Sequence, residues 1–316
     1  MEIFNRKIDF FFIKFPILFP LVYLFFLYSF PQFETYLIIL TIFLLAEPHF
    51  GATYPIFFDK SNNEFFKKKK IIFYYGSILI ISYCLLGFFF FKYLFLLSFY
   101  AFNIFHVTRQ SVGICKLYNK NQKEFFYQSQ IIYLFNILFF IIGFLRFYLN
   151  IIPENFLIYL NISVLLFILI SVLIYLSVFK LSDNFFTLIS GVIIFYPICF
   201  VYNPVHAILL GVTIHYSQYL FITSKVYIGR KGLLSSYNLK NFTKYFKNNF
   251  IYTIIIYSFF MSTISYMGKV DDPFIKNLIF IPITGQMLHF YLDSFIWKFS
   301  EEHNRQNTLK FILEKI

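Results

Sequence analysis

The sequence predicts an all-α, polytopic membrane protein: a bundle of about ten transmembrane helices with both termini cytoplasmic. Three observations carry this expectation. The 316 residues are 59% hydrophobic and only 13% charged, with mean hydropathy +0.70, whereas soluble domains run at about 25% charged residues. Apolar residues recur in runs of roughly 20, the length that crosses a bilayer. Lysines and arginines gather in short clusters between those runs, such as Lys67–Lys70 and Arg230–Lys231. That is the positive-inside pattern. The net charge of +12 is therefore no nucleic-acid-binding face.

At the amino terminus, Arg6, Lys7 and Lys14 precede an apolar run at 15–30, as in a signal peptide, but no small-residue cleavage site comes after it. The stretch 31–34 leads straight into the next span, so the first helix is expected to stay uncleaved. Further spans are expected at 34–58, 71–91, 93–118, 127–148, 155–179, 185–201, 205–223, 249–267 and 274–299. If the connections alternate sides, only Lys92, Arg146, Lys269 and Lys276 of the 27 Lys and Arg lie opposite the termini. The chain then reads as one integral membrane domain, 1–316, with a cytoplasmic loop at 224–248 and a polar tail at 300–316. The loop carries Lys225, Arg230, Lys231, Lys240, Lys244 and Lys247. It either lies along the anionic lipid surface or is an ordinary loop. Cys84, Cys115 and Cys199 are scattered through apolar spans without a CxxC, which excludes a disulfide framework or a zinc ribbon. The 51 phenylalanines reflect composition, so single aromatics mark no site.

Four histidines stand out. His49, His106, His215 and His289 each fall near the middle of a different span, and the charge bookkeeping sends those four spans in the same direction. They lie about 11 to 16 residues from the outer ends, a spread of only ~8 Å at 1.5 Å per residue. Ionisable groups at mid-bilayer are costly and usually functional, and neutral imidazole suits iron, copper or zinc. The four are therefore candidate metal ligands, with Fe(II) first among the metals. His206 is a reserve candidate near the outer surface. His303, in the polar tail, is expected to be solvated.

The surroundings of each differ. Pro48 denies the carbonyl of Leu44 its donor, and Gly51 loosens the next turn, so the second span is expected to be broken where it lines a cavity. In the fourth span Asn103, His106, Gln110 and Gly113 share one face. His215, Gln218 and Tyr219 share a face of the eighth. In the tenth, Asp293 comes one turn after His289 and has two candidate partners. It would accept from the imidazole, fixing its tautomer, or it would pair with Arg109, which otherwise snorkels to the headgroups. Glu47, Asn103, Gln110, Gln286 and Asp293 are thus the candidate catalytic or substrate-facing groups.

The ordered set Pro48-His49-x-Gly51, His106, His215 and His289-x-x-x-Asp293 resembles, distantly, the Brp/Blh family of bacterial membrane enzymes. These dioxygenases cleave β-carotene to retinal with histidines thought to hold iron. The family's Phe-Gly after the second-helix histidine is missing after His106, and its later pair of histidines four residues apart is not matched. The resemblance covers isolated helix motifs. It implies a carotenoid or related polyene entering from the bilayer, dioxygen as co-substrate, and a bacterial inner (cytoplasmic) membrane. Two other readings remain. A di-iron hydroxylase or desaturase would want clustered His-x-x-His-His boxes, which the six histidines do not form. A transporter or lipid-binding protein would use His289 and Asp293 as a proton relay.

Overall fold

Long apolar runs without interior breakers satisfy their own backbone best as helices, and in this chain they do so throughout. The structure, a computed structural model, describes residues 2–57, 60–234, 250–268 and 272–314. Among the described residues every regular element is helical and there is no strand. The principal helices are α1 (Arg6–Lys14), α2 (Leu18–Ser29), α3 (Pro31–Phe57), α4 (Lys60–Lys68), α5 (Ile71–Phe90), α6 (Lys92–Tyr118) and α7 (Gln122–Tyr148). They continue with α8 (Glu154–Val178), α9 (Asp183–Ile193), α10 (Pro204–Leu234), α11 (Phe250–Met267), α12 (Pro273–Asn277) and α13 (Phe280–Ile296).

Six of these, α3, α5, α7, α8, α10 and α11, are long and apolar enough to cross a membrane. A seventh is obtained if α1 and α2 count as one span, bent by 51°. The bend falls at Pro16, which cannot continue the helical hydrogen-bond ladder. By length and composition the count among the described residues is thus six or seven, and the other three expected spans each fall short of that measure for a physical reason. Helix α6 is 27 residues long, but Asn103, His106, Arg109, Gln110 and Lys116 dilute its apolar character. The segment 185–201 stops as α9 at Ile193 and turns through a short 3-10 stretch, Tyr196–Cys199, around Pro197. The segment 274–299 divides at 278–279, and α13 restarts with Pro282 in its first turn, leaving 17 residues.

The apolar surface left outside fits a lipid solvent. On α8 the outward side chains include Ile158, Leu166, Leu173 and Ile174, each more than half exposed. Water would not tolerate so continuous an apolar face, whereas hydrocarbon does.

The chain forms two compact units, residues 1–38 with 103–218, and residues 39–102 with 219–316. In the first, polar groups tie helix ends together. Asp9 accepts from the amides of Ile3 and Phe4 and from the Tyr118 hydroxyl at 2.9 Å. Lys14 pairs with Asp183 at 3.1 Å. Arg146 donates to the carbonyls of Ile198 and Val201. Gly211 is required where α10 meets the end of α9, because a Cβ there would lie 1.7 Å from the Ile194 carbonyl oxygen.

In the second unit the expected cytoplasmic loop is corrected over its first part. Helix α10 runs on to Leu234, so Lys225 and Arg230 are helical and buried, at 1% and 4% exposure, instead of lying on lipid. Residues 235–249, with Lys240, Lys244 and Lys247, fall outside the described residues. Arg230 donates to the Asn307 carbonyl at 2.6 Å and to Thr308 Oγ1 at 3.1 Å. The tail is correspondingly ordered into short helical turns, Glu302–Asn304, Arg305–Leu309 and Lys310–Leu313, with Phe311 and Ile312 buried. His303, expected to be solvated, is half-buried. It meets Asn62 Oδ1 at 2.7 Å and stacks on the Phe65 ring at 4.2 Å.

Candidate functional site

The second span does not break at Pro48. It widens into a π-helical turn, Ile42–Ala46, directly before the α-helical stretch Glu47–Phe57. A wider turn absorbs the carbonyl that proline leaves without a donor, and such turns often sit at functional positions. The first residues of that stretch are buried: Glu47, His49, Phe50, Gly51, Ala52 and Thr53.

In the second unit α3, α10 and α13 assemble one polar cluster. His49 Nε2 lies 2.9 Å from His289 Nε2, and both rings are 0% exposed. Thr53, one turn after His49, places Oγ1 2.8 Å from His289 Nδ1 and 3.1 Å from Asp293 Oδ1. The Tyr219 hydroxyl donates to Asp293 Oδ1 at 3.0 Å and also meets Thr53 Oγ1. Asp293 Oδ2 is 3.6 Å from His289 Nε2. The rings of Tyr219 and Phe50 close the sides, at 4.4 Å and 4.9 Å from the His49 ring.

The protons in this cluster are set by its donors and acceptors. A carboxylate oxygen accepts, so the two hydroxyls that reach Asp293 Oδ1 donate to it. Thr53 Oγ1, donating to Asp293, is placed to accept from His289 Nδ1. The His289 Nε2 faces both His49 Nε2 at 2.9 Å and Asp293 Oδ2 at 3.6 Å. Asp293 thus reaches His289 in two ways, directly at 3.6 Å from Nε2 and through Thr53 Oγ1 to Nδ1. Arg109 is exposed and lies over the ring of its own helix neighbour Phe105, in keeping with snorkelling.

Gly51 is explained by close approach. A Cβ at that position would stand 2.7 Å from Cδ1 of Tyr257 on α11. Tyr257 lies against Tyr54, ring centroids 5.4 Å apart, and Tyr54 donates to the Gly285 carbonyl at 3.3 Å. Glu47 is wholly buried, and neither of its carboxyl oxygens has a hydrogen bond among the described residues. The half-buried Gln286 side chain lies beside it.

In the first unit His106 and His215 are brought together. Their buried rings stand edge to face with centroids 5.4 Å apart. Asn103 and Gln110 flank His106 by one turn on either side, both half-buried. Gln218 donates to the Ile13 carbonyl at 2.7 Å, a structural bond. His206 is engaged elsewhere in this unit, 2.7 Å from the Tyr23 hydroxyl and 3.7 Å from Glu34. The four candidate ligands thus form two buried histidine pairs, one in each unit. Sequence reasoning missed Thr53. Its signal is the one-turn spacing from His49, a polar residue on the same face of an apolar helix.

No protein-family model matches the chain, and no match is found among curated proteins or solved structures.

Proposed function

We propose that this chain is an integral membrane, metal-dependent oxygenase, with Fe(II) the expected metal, acting on a carotenoid or another lipid-soluble polyene. The observation that carries the reading is the 2.9 Å approach of His49 Nε2 to His289 Nε2 in a fully buried setting. Two nitrogens bound at right angles to one metal at ~2.0–2.1 Å stand about 2.9 Å apart. That spacing supports a metal held by the pair, and His106 with His215 is the second proposed ligand pair. When bound, iron would supply the activation of dioxygen for oxidation across a double bond.

The chain's own residues do the rest. Thr53 and Asp293 hold His289 in the ligating tautomer. Phe50 and Tyr219 exclude water beside the imidazoles. Helix α6 owes part of its diluted apolar character to Asn103, His106 and Gln110, residues proposed here as site groups, and α13 falls short in length. Counting them and the α9 segment as crossings restores ten passes, and the charge distribution then puts both termini in the cytoplasm, with the bacterial inner membrane as the setting. Similarity to the Brp/Blh enzymes remains the support for the substrate class.

A second reading is favoured by the same contacts. The 2.9 Å spacing also suits one N–H···N hydrogen bond, and the chain His49, His289, Thr53, Asp293 would then relay protons in a transporter. The two readings separate under assay. Oxygen-dependent loss of polyene absorbance is expected from the iron-loaded protein, abolished in His289→Ala and retained in His303→Ala. Equal activity in all three proteins, or none in any, removes the oxygenase reading.

A further inference from the structure

Helix α3 presents two polar faces. His49 and Thr53 form one. Glu47 stands about 200° around the helix from His49, and with Gly51 and Tyr54 it forms the other, at spacings of four and three. This second face is lined from α11 by Tyr257 and from α13 by Gly285 and Gln286. One of its groups lacks a partner. Neither Glu47 carboxyl oxygen makes a hydrogen bond among the described residues, whereas the Tyr257 hydroxyl has that of Tyr54 beside it. Glu47 is 0% exposed.

An apolar interior does not hold such groups without return, because each unbonded polar group costs on the order of 1–3 kcal/mol. A leucine or phenylalanine, abundant in this chain, would pack there more cheaply. The missing partner is therefore a polar atom brought in by something else. Gln286 precedes His289 by three residues on one face of α13, so the Glu47 level lies about 4.5 Å along the helix from the histidine pair.

We infer that Glu47, Tyr257 and Gln286 form a subsite for a hydroxyl or carbonyl oxygen carried by the apolar substrate a few bonds from its reacting carbon. The inference rests on the proposed polyene reading and narrows it: the preferred substrate is an oxygenated polyene, and a pure hydrocarbon is the poorer ligand. A hydroxyl donates to the Glu47 carboxyl, and a carbonyl accepts from Tyr257 or the Gln286 amide. The shape of α3 serves this arrangement, because Gly51 lets the Tyr257 ring lie close against the helix one turn from Glu47.

The test uses binding, independent of turnover. Trp297 is the single tryptophan and stands 5.8 Å from the Tyr219 ring. Its emission is quenched by energy transfer to a bound conjugated tetraene. Titrations of the full chain in mild detergent compare a tetraene with an allylic primary alcohol against its hydrocarbon counterpart. The alcohol is expected to bind about tenfold more tightly, the scale of one buried hydrogen bond. Glu47→Met should remove that preference, and a natural helical circular-dichroism spectrum with monodisperse elution shows that the variant is folded. Glu47→Gln, which can still bond a hydroxyl, should keep most of it. Equal binding of the two tetraenes to the natural chain, or a preference that survives Glu47→Met, overturns the subsite. Metal content of the same samples separates the two ideas. Preference for the alcohol without bound metal supports the subsite and defeats the oxygenase. Bound iron with no preference does the reverse.

Discussion

Replacing Thr53 by valine removes one hydroxyl and almost no volume, and three contacts decide the consequences. Thr53 Oγ1 is 2.8 Å from His289 Nδ1 and 3.1 Å from Asp293 Oδ1, and it meets the Tyr219 hydroxyl. Without it the Nδ1–H of His289 loses its acceptor and the link to the carboxylate opens. Tyr219 still donates to Asp293 at 3.0 Å, so the acid is not stranded. The imidazole becomes free to rotate or to move its proton to Nε2, where a metal would bind. Loss of such an outer hydrogen bond costs about 10- to 100-fold in metal affinity, or ~1.4–2.8 kcal/mol. The assay is anaerobic competition for Fe(II) against a chromophoric chelator, with Co(II) as a spectroscopic substitute. Thr53→Ser, which keeps the hydroxyl, should retain most of the affinity. A valine variant within threefold of the natural protein would refute the claim that Thr53 and Asp293 set the state of His289.

Two further outcomes are expected. Gly51→Ala places a methyl 2.7 Å from Cδ1 in the body of the Tyr257 ring, so the ring must shift. Thermal denaturation in detergent should show a loss of about 1–3 kcal/mol, the range for overpacked interiors, and an unchanged midpoint would contradict the close approach. The tail should loosen on acidification. Burial, with the charges of Arg230 and Lys69, lowers the His303 pKa from its ordinary 6.5. The hydrogen bonds from Lys69 and Lys298 lower that of Glu301 from 4.5. Both shifts are downward, so both contributions are present above the ordinary values and are lost as pH falls through the lowered ones. Limited proteolysis at residues 300–314 should therefore rise below about pH 6.5 and again below about pH 4.5. Flat cleavage from pH 8 to pH 4 would contradict this.

The helices and their membrane setting were legible in the sequence because apolar run length reports both directly. Proline at 16 and 197 and the restart at Phe280 were harder to weigh, since a proline in an apolar run can bend, end or merely widen a helix. At Pro48 it widens one. The continuation of α10 through Lys225 and Arg230 was hidden for a different reason. Basic residues after an apolar run signal a loop on charge grounds, and only the tail carbonyl of Asn307 and hydroxyl of Thr308 show why Arg230 is buried. Within the site, His289 and Asp293 could be paired from their spacing alone. Thr53 could not, because a threonine is ordinary in a helix until its neighbours on other helices are known. Tyr219 was placed on the right helix but beside His215, and it serves the carboxylate of Asp293 instead.

The most direct measurement is the transition-metal content of the full chain purified in mild detergent, beside the double variants His49→Ala/His289→Ala and His106→Ala/His215→Ala. Bound iron in the natural protein, lost in the first variant and weakened or lost in the second, is the predicted result. A natural protein that takes up no metal after anaerobic loading with Fe(II), or a His49→Ala/His289→Ala variant that keeps it, would contradict the metal-dependent reading and leave the histidines as proton-carrying groups.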